Sequence, residues 1–253
     1  MDMRLVAWAR ATAARHRGRH GRPLPPLWLF TDAARLPDPR PAVARLPKGL
    51  AGVVLRHDAA ADRAQLGRDL ARLCRARRLL LVVARDVRLA AALRAGVHLR
   101  AGRWSGSVRP RRGPVTSSAH DGAELVRARR AGATLAFLSP CFPTASHPDA
   151  AGLGPRRWAR LARDAGIAVA ALGGIDGGSV RRLPSALCAA AGAIGALADE
   201  TGERSVAETS QCFGNTMPRP CKPLRPRPLR DNTSVQVWLP IRSAFAEAGG
   251  GLE

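Results

Sequence analysis

Eight short apolar runs punctuate this chain, at residues 27–30, 51–55, 79–83, 96–99, 114–117, 135–138, 167–172 and 191–194. Most are continuously apolar rather than alternating, the pattern of parallel strands covered on both faces. The run at 114–117 is the weakest, since it includes Thr116 and Ser117. Between the runs lie Ala-, Leu- and Arg-rich segments with helical spacing. Residues 62–78 put Leu66, Leu70 and Leu73 on one stripe, and residues 121–131 and 156–165 continue the alternation. Strand and helix in turn demand a parallel sheet, and eight such units with right-handed crossovers close into a (β/α)8 TIM barrel. A doubly wound open sheet is the alternative. It is disfavoured because no Gly-x-Gly-x-x-Gly follows the first run.

The periodic pattern occupies residues 26–199. Residues 1–25 form a basic, Ala-rich N-terminal extension, loose or helical, without the apolar core and cleavage site of a signal peptide. Residues 200–253 carry Pro218, Pro220, Pro223, Pro226 and Pro228 among polar residues, which breaks both helix and central strand. That stretch reads as a low-order tail, with a short ordered piece around 235–246.

Composition changes this picture in three ways. Aromatics are only 4% of the chain and Tyr is absent, so the core is built mainly from Ala, Leu and Val. The net charge is +22, but the basic residues are nearly all Arg and are spread along the chain, Lys48 and Lys222 being the only lysines. Nucleic acid is therefore disfavoured as a partner, and the charge instead favours small anionic substrates. The five cysteines form no Cys-x-x-Cys pair and are odd in number, which fits reduced thiols in a cytoplasmic protein rather than disulfides or zinc. No apolar run is long enough for a membrane span, and the pattern sets no oligomeric state.

Barrel chemistry sits just beyond the C-terminal ends of the strands. After the second run stands Arg56, whose guanidinium can clamp a diphosphate. After the fifth come Ser118 and His120, two apart and so on one face of an extended segment. They are the candidate catalytic pair, with His120 as a proton shuttle near neutral pH. The competing reading makes Ser118 or Asp121 a helix cap and His120 a solvated neighbour. After the sixth run a long Pro-braced loop carries Thr144, Ser146 and His147. After the seventh, Gly173 and Gly174 let the backbone approach an anion, and the next helix is expected to offer free N–H groups. After the eighth, Ile194 and Gly195 complete a phosphate cradle between adjoining loops.

In this order the segments resemble the thiamine phosphate synthase and thiazole tautomerase family. The resemblance runs from about Leu27 to Leu197. It is carried by Leu27-Trp28-Leu29-Phe30-Thr31-Asp32, Gly96-Val97-His98-Leu99, Ser118-Ala119-His120, Leu138-Ser139-Pro140-Cys141-Phe142-Pro143-Thr144 and Ala171-Leu172-Gly173-Gly174-Ile175. It implies an enzyme of thiamine biosynthesis in which a pyrimidine diphosphate ionises and a thiazole phosphate nitrogen captures the cation. It also implies Mg2+ held by aspartates. Here the family's Gln-x-Arg-x-Lys is Val54, Arg56 and Asp58, its Asn-Asp is Ala84 and Arg85, its later Asp is Arg103, and Arg100 replaces a Gly. His147 stands where a Lys is usual. The thiazole-phosphate half, Thr144, Ser146, Gly173, Gly174, Ile194 and Gly195, is kept, while the metal half is lost and no metal ligand remains. Arg85, Arg100 and Arg103 could take the metal's place. The alternatives are a tautomerase using His120 as acid/base and a non-catalytic thiazole-phosphate-binding protein.

Overall fold

The computed structural model describes residues 1–16, 24–106, 109, 113–144 and 151–198, all within the unit Met1–Val206. Ser146, His147 and the 200–253 tail lie outside the described residues. Eight parallel strands close in sequence order into a barrel: β1 (Leu27–Phe30), β2 (Ala51–Leu55), β3 (Leu80–Ala84), β4 (Gly96–Leu99), β5 (Val115–Ala119), β6 (Leu135–Leu138), β7 (Ala168–Leu172) and β8 (Cys188–Ala193). The (β/α)8 expectation holds. Between strands lie α2 (Arg40–Arg45), α3 (Arg63–Ala76), α4 (Val87–Ala92), α5 (Gly122–Arg130) and α6 (Gly154–Asp164), and a single 3-10 turn (Ser179–Arg182) separates β7 from β8. A four-residue α7 (Gly195–Ala198) follows β8. No described helix is long and apolar enough to cross a membrane.

The scarce aromatics are concentrated where the barrel needs bulk. Leu27 and Leu29 face the helices, while Trp28 and Phe30 alternate inward and meet Val54, Val82, Phe137 and Ala170 inside the barrel. Phe137 stacks edge-on against Trp28 and Phe30, with centroids 5.5 and 4.8 Å apart. Glycine makes room for these rings: a Cβ at Gly52 would stand 2.5 Å from the Trp28 ring, and one at Gly192 would stand 2.8 Å from Phe30. The alanines of β7 and β8 do the same on the far wall.

Residues 1–25 contain a docked helix, α1 (Met3–Arg15), which buries Leu5, Val6, Ala9 and Thr12. It packs on β8 and the 3-10 turn, covering a strand from the opposite end of the chain. Asp2 anchors it. One carboxylate oxygen accepts the N–H groups of Arg4 (2.8 Å) and Leu5 (3.1 Å), and the other accepts Gly177 N–H at 2.7 Å, beyond the end of β7. Asp2 N–H donates to Ala196 O at 2.6 Å, beyond the end of β8. Asp2→Ala removes both the helix cap and the partner of Gly177, so a loss of about 1–2 kcal/mol is expected in urea denaturation. Asp2→Asn, which can still cap, should lose less. Equal stability of wild type and Asp2→Ala would show that the anchor contributes nothing.

Candidate functional site

The C-terminal mouth of the barrel divides into two halves. On the β5–β7 side the loops are stitched to one another. Cys141 N–H donates to Leu172 O (2.8 Å) and Phe142 N–H to Gly173 O (3.0 Å), so the segment after β6 lies along the end of β7. Gly173 and Gly174 have φ of 87° and 64°, the left-handed region that glycine tolerates. A Cβ on Gly173 would stand 2.9 Å from Pro140, and one on Gly174 would stand 2.6 Å from Pro143 O. Thr144, half-buried, ends the described part of that loop. Leu172 pairs with Gly192, which sets Gly173 and Gly174 beside Ile194 and Gly195 at the end of β8. The N–H groups of Gly173, Gly174, Gly195 and Ala196 meet no acceptor among the described residues.

The N–H groups expected from a helix after β7 are not available. The segment forms only the 3-10 turn, because Asp176 closes it: its carboxylate accepts Gly178 N–H and Ser179 N–H, both at 2.8 Å. Gly177 N–H is taken by Asp2. The open donors in this half are therefore the paired glycines themselves and the first residues after β8.

His120 follows β5 and is bonded to Ser139, where the loop after β6 begins. Its Nδ1 is 2.8 Å from Ser139 O, and since a carbonyl only accepts, Nδ1 carries the proton. In the neutral ring Nε2 is then a proton acceptor, on an exposed side chain. Asp121 does cap α5, accepting Glu124 N–H at 2.7 Å, while Glu124 reaches back to His120 N–H at 2.9 Å. Ser118 belongs to β5 rather than following it, because that strand runs two residues further than its apolar run. Its Oγ accepts Ala101 N–H (3.1 Å), and the neighbouring Ser117 Oγ accepts Gly102 N–H (2.9 Å). Both hydroxyls thus fasten the tight turn after β4, in which Arg100 and Arg103 pair through their backbones.

His98 forms the floor, and the sequence reading gave it no role. It is 6% exposed, with Nδ1 2.9 Å from Thr116 Oγ1, and its ring lies 5.6 Å from Phe30 and 5.7 Å from Phe137. Burial, and then the charge of Arg56, push its pKa down to about 3, so the ring is neutral at physiological pH. The available signal was parity: His98 pairs with Thr116 in register and alternates with outward-facing Val97 and Leu99. His57, by contrast, is a structural brace between Thr31 Oγ1 (2.9 Å) and Pro37 O (3.3 Å). Arg56 N–H donates to the same Thr31 Oγ1 at 2.9 Å.

The β2–β4 half is cationic. Asp58 and Asp86 both end on Arg63, at 3.0 and 3.4 Å, and Arg63 also donates to Ala84 O at 2.6 Å. Asp86 caps α4 as well, accepting Leu89 N–H at 2.8 Å, and Arg85 stands 3.7 Å from Asp58. Among the described residues no group of three or more His, Cys, Asp or Glu could hold a metal ion. The residues here do not fit the Mg2+ that the resemblance implies: both carboxylates are already neutralised by guanidiniums. Cys74, Cys141 and Cys188 are buried thiols pushed up to about 12 by desolvation, which makes them unsuited to nucleophilic or metal-binding roles.

Comparison with known proteins follows the same outline. Residues 31–197 match the family model for thiamine monophosphate synthase. Thiamine-phosphate synthase of Halorhodospira halophila is 36% identical over 173 residues, covering 64% of this chain and 81% of the relative. Its counterpart from Geobacillus kaustophilus is 35% identical over 156 residues, covering 58% and 69%. Among solved structures, thiamine phosphate pyrophosphorylase of Pyrococcus furiosus shares the fold, with a TM-score of 0.57, 24% identity and coverage of 69% of this chain and 88% of that one. The chain belongs to the thiamine monophosphate synthase family.

Proposed function

We propose that the protein is a thiamine-phosphate synthase, joining a pyrimidine diphosphate to a thiazole phosphate. The reading is carried by the bonding of Cys141 and Phe142 to Leu172 and Gly173, which joins the loops after β6 and β7 beside the free N–H groups of Gly173 and Gly174. Relatives of the same name that cover most of their length with this chain support it. The phosphoryl group of the thiazole would accept the free N–H groups of Gly173, Gly174 and Gly195, with Thr144, Ser146 and His147 contributing from the preceding loop. The ring would then lie over His98, a neutral and largely apolar floor. In the reaction the carbon–oxygen bond to the diphosphate breaks, and the diphosphate leaves with the electron pair. The thiazole nitrogen lone pair then forms the new carbon–nitrogen bond. Arg56 would face the departing diphosphate.

A second reading, thiazole tautomerisation, draws on one observation: the bond from Nδ1 to Ser139 O leaves the Nε2 lone pair of exposed His120 free, as an acid/base needs. The two readings separate in one experiment. Condensation transfers no proton at the bond-forming step, so His120→Asn is expected to lower thiamine phosphate formation by less than about tenfold. A tautomerase would lose roughly 10²–10⁴-fold. Incubation with both phosphorylated substrates, followed by mass spectrometry of the products, checks this. Absence of thiamine phosphate from the wild-type reaction would end the synthase reading.

A further inference from the structure

The aspartates that should hold a metal are missing, and what stands in their place forms a pattern. At the ends of β2, β3 and β4 the chain places Arg56, Arg85, Arg88, Arg100 and Arg103, all exposed. The acids nearest to them, Asp58 and Asp86, are both engaged by Arg63, whose side chain is only 15% exposed. The guanidiniums of Arg56, Arg100 and Arg103 meet no acceptor among the described residues; their hydrogen bonds are made by the backbone. Arg85 and Ala101 hold φ of 62° and 52°, a region that costs a non-glycine residue energy, so the chain accepts strain on either side of this cluster. Beside this cluster an open cleft of about 630 Å3 is lined by Arg63, Arg85 and Arg88 together with Asp58, Asp86 and Ser105.

We infer that this half of the mouth is a metal-independent diphosphate site, in which unpaired guanidiniums, Arg56 and Arg100 foremost, replace a protein-held divalent cation. The identification of the anion as the substrate's diphosphate rests on the synthase reading; the anion site itself does not. Planar guanidiniums bind phosphoryl oxygens in pairs and carry fixed positive charge at any working pH, so they can stabilise the charge that develops on the departing diphosphate. Arg63 has a separate part. Together with Arg85, which also reaches Asp58, it offsets the two carboxylates that would otherwise repel the anion or attract a cation. Arg56 follows β2 directly, and its charge is felt by the buried His98 ring.

Inorganic pyrophosphate, the product of the condensation, is the probe. Calorimetric titration of the full-length protein in excess EDTA is expected to show binding. Arg56→Gln and Arg100→Gln should each weaken it by about tenfold, as for loss of one charge-assisted contact. Neither guanidinium has a partner to lose and the backbone bonds of both residues are kept, so both variants should melt with the wild type. Mn2+ titrated by paramagnetic resonance should show no site on the protein alone. Pyrophosphate binding that vanishes in EDTA would overturn the inference, as would both glutamine variants binding like the wild type. A Mn2+ site lined by Asp58 and Asp86 would overturn it too. Metal-free binding without thiamine phosphate formation would keep the anion site and remove the synthase reading. Thiamine phosphate formation with strictly metal-dependent pyrophosphate binding would do the reverse.

Discussion

Gly174→Ala is expected to weaken binding of the thiazole phosphate by about ten- to hundredfold and to destabilise the fold by about 2 kcal/mol. Two independent costs combine. At φ 64° an L-residue is strained by about 1–2 kcal/mol. The added Cβ would also stand 2.6 Å from Pro143 O and 2.7 Å from Phe142 Cβ. Neither neighbour can simply swing away, because Phe142 N–H is bonded to Gly173 O and Cys141 N–H to Leu172 O. The loop after β6 must lift off the end of β7, and the free N–H groups of the cradle then lose their common orientation. Gly122→Ala is the control, since its Cβ would meet only Leu161, at an ordinary 3.5 Å. Calorimetry with the thiazole phosphate and urea denaturation give the two readouts. Wild-type affinity in Gly174→Ala would mean that the phosphate is held elsewhere.

The barrel was legible in the sequence because a buried parallel strand needs a continuous apolar run, and seven of the eight runs are unambiguous. The boundaries failed where that signal weakens. β5 continues through Ser118 and Ala119 because its hydroxyls bond to Ala101 and Gly102, partners that no local pattern announces. β8 begins three residues before its apparent run, where Cys188, Ala189 and Ala190 look as much like helix as strand. In the site, the glycine pair after β7 was readable as glycine chemistry, and its contact with the loop after β6 followed from strand order. The loss of the helix N-terminus was not readable. It depends on Asp176 closing its own turn and on Asp2, remote in sequence, taking Gly177 N–H. His98 is illegible for a different reason: it lies within β4 rather than after a strand, and acts by facing inward.

That inward face supports the largest stability effect expected here. Phe137→Ala should cost about 3–5 kcal/mol at pH 7.5, the range for truncating a fully buried aromatic ring. Phe137 is in ring contact with Trp28, Phe30 and His98, so its removal opens a cavity at the centre of the barrel that no single neighbour can fill. The cavity also admits water to His98, and that makes the deficit depend on pH. In the wild type His98 titrates near 3 when folded, against an ordinary 6.5 when unfolded. Between those values the unfolded chain binds the extra proton, so the stability due to the neutral buried ring is complete above pH 6.5 and is lost progressively as pH falls toward 3. At pH 5 the loss amounts to about 2 kcal/mol. With its surroundings hydrated, His98 in Phe137→Ala should titrate closer to its ordinary value and lose less on acidification. The gap between wild type and variant, measured by urea denaturation, is therefore expected to narrow from pH 7.5 to pH 5. A constant gap would show that Phe137 packs the barrel without controlling the solvation of His98.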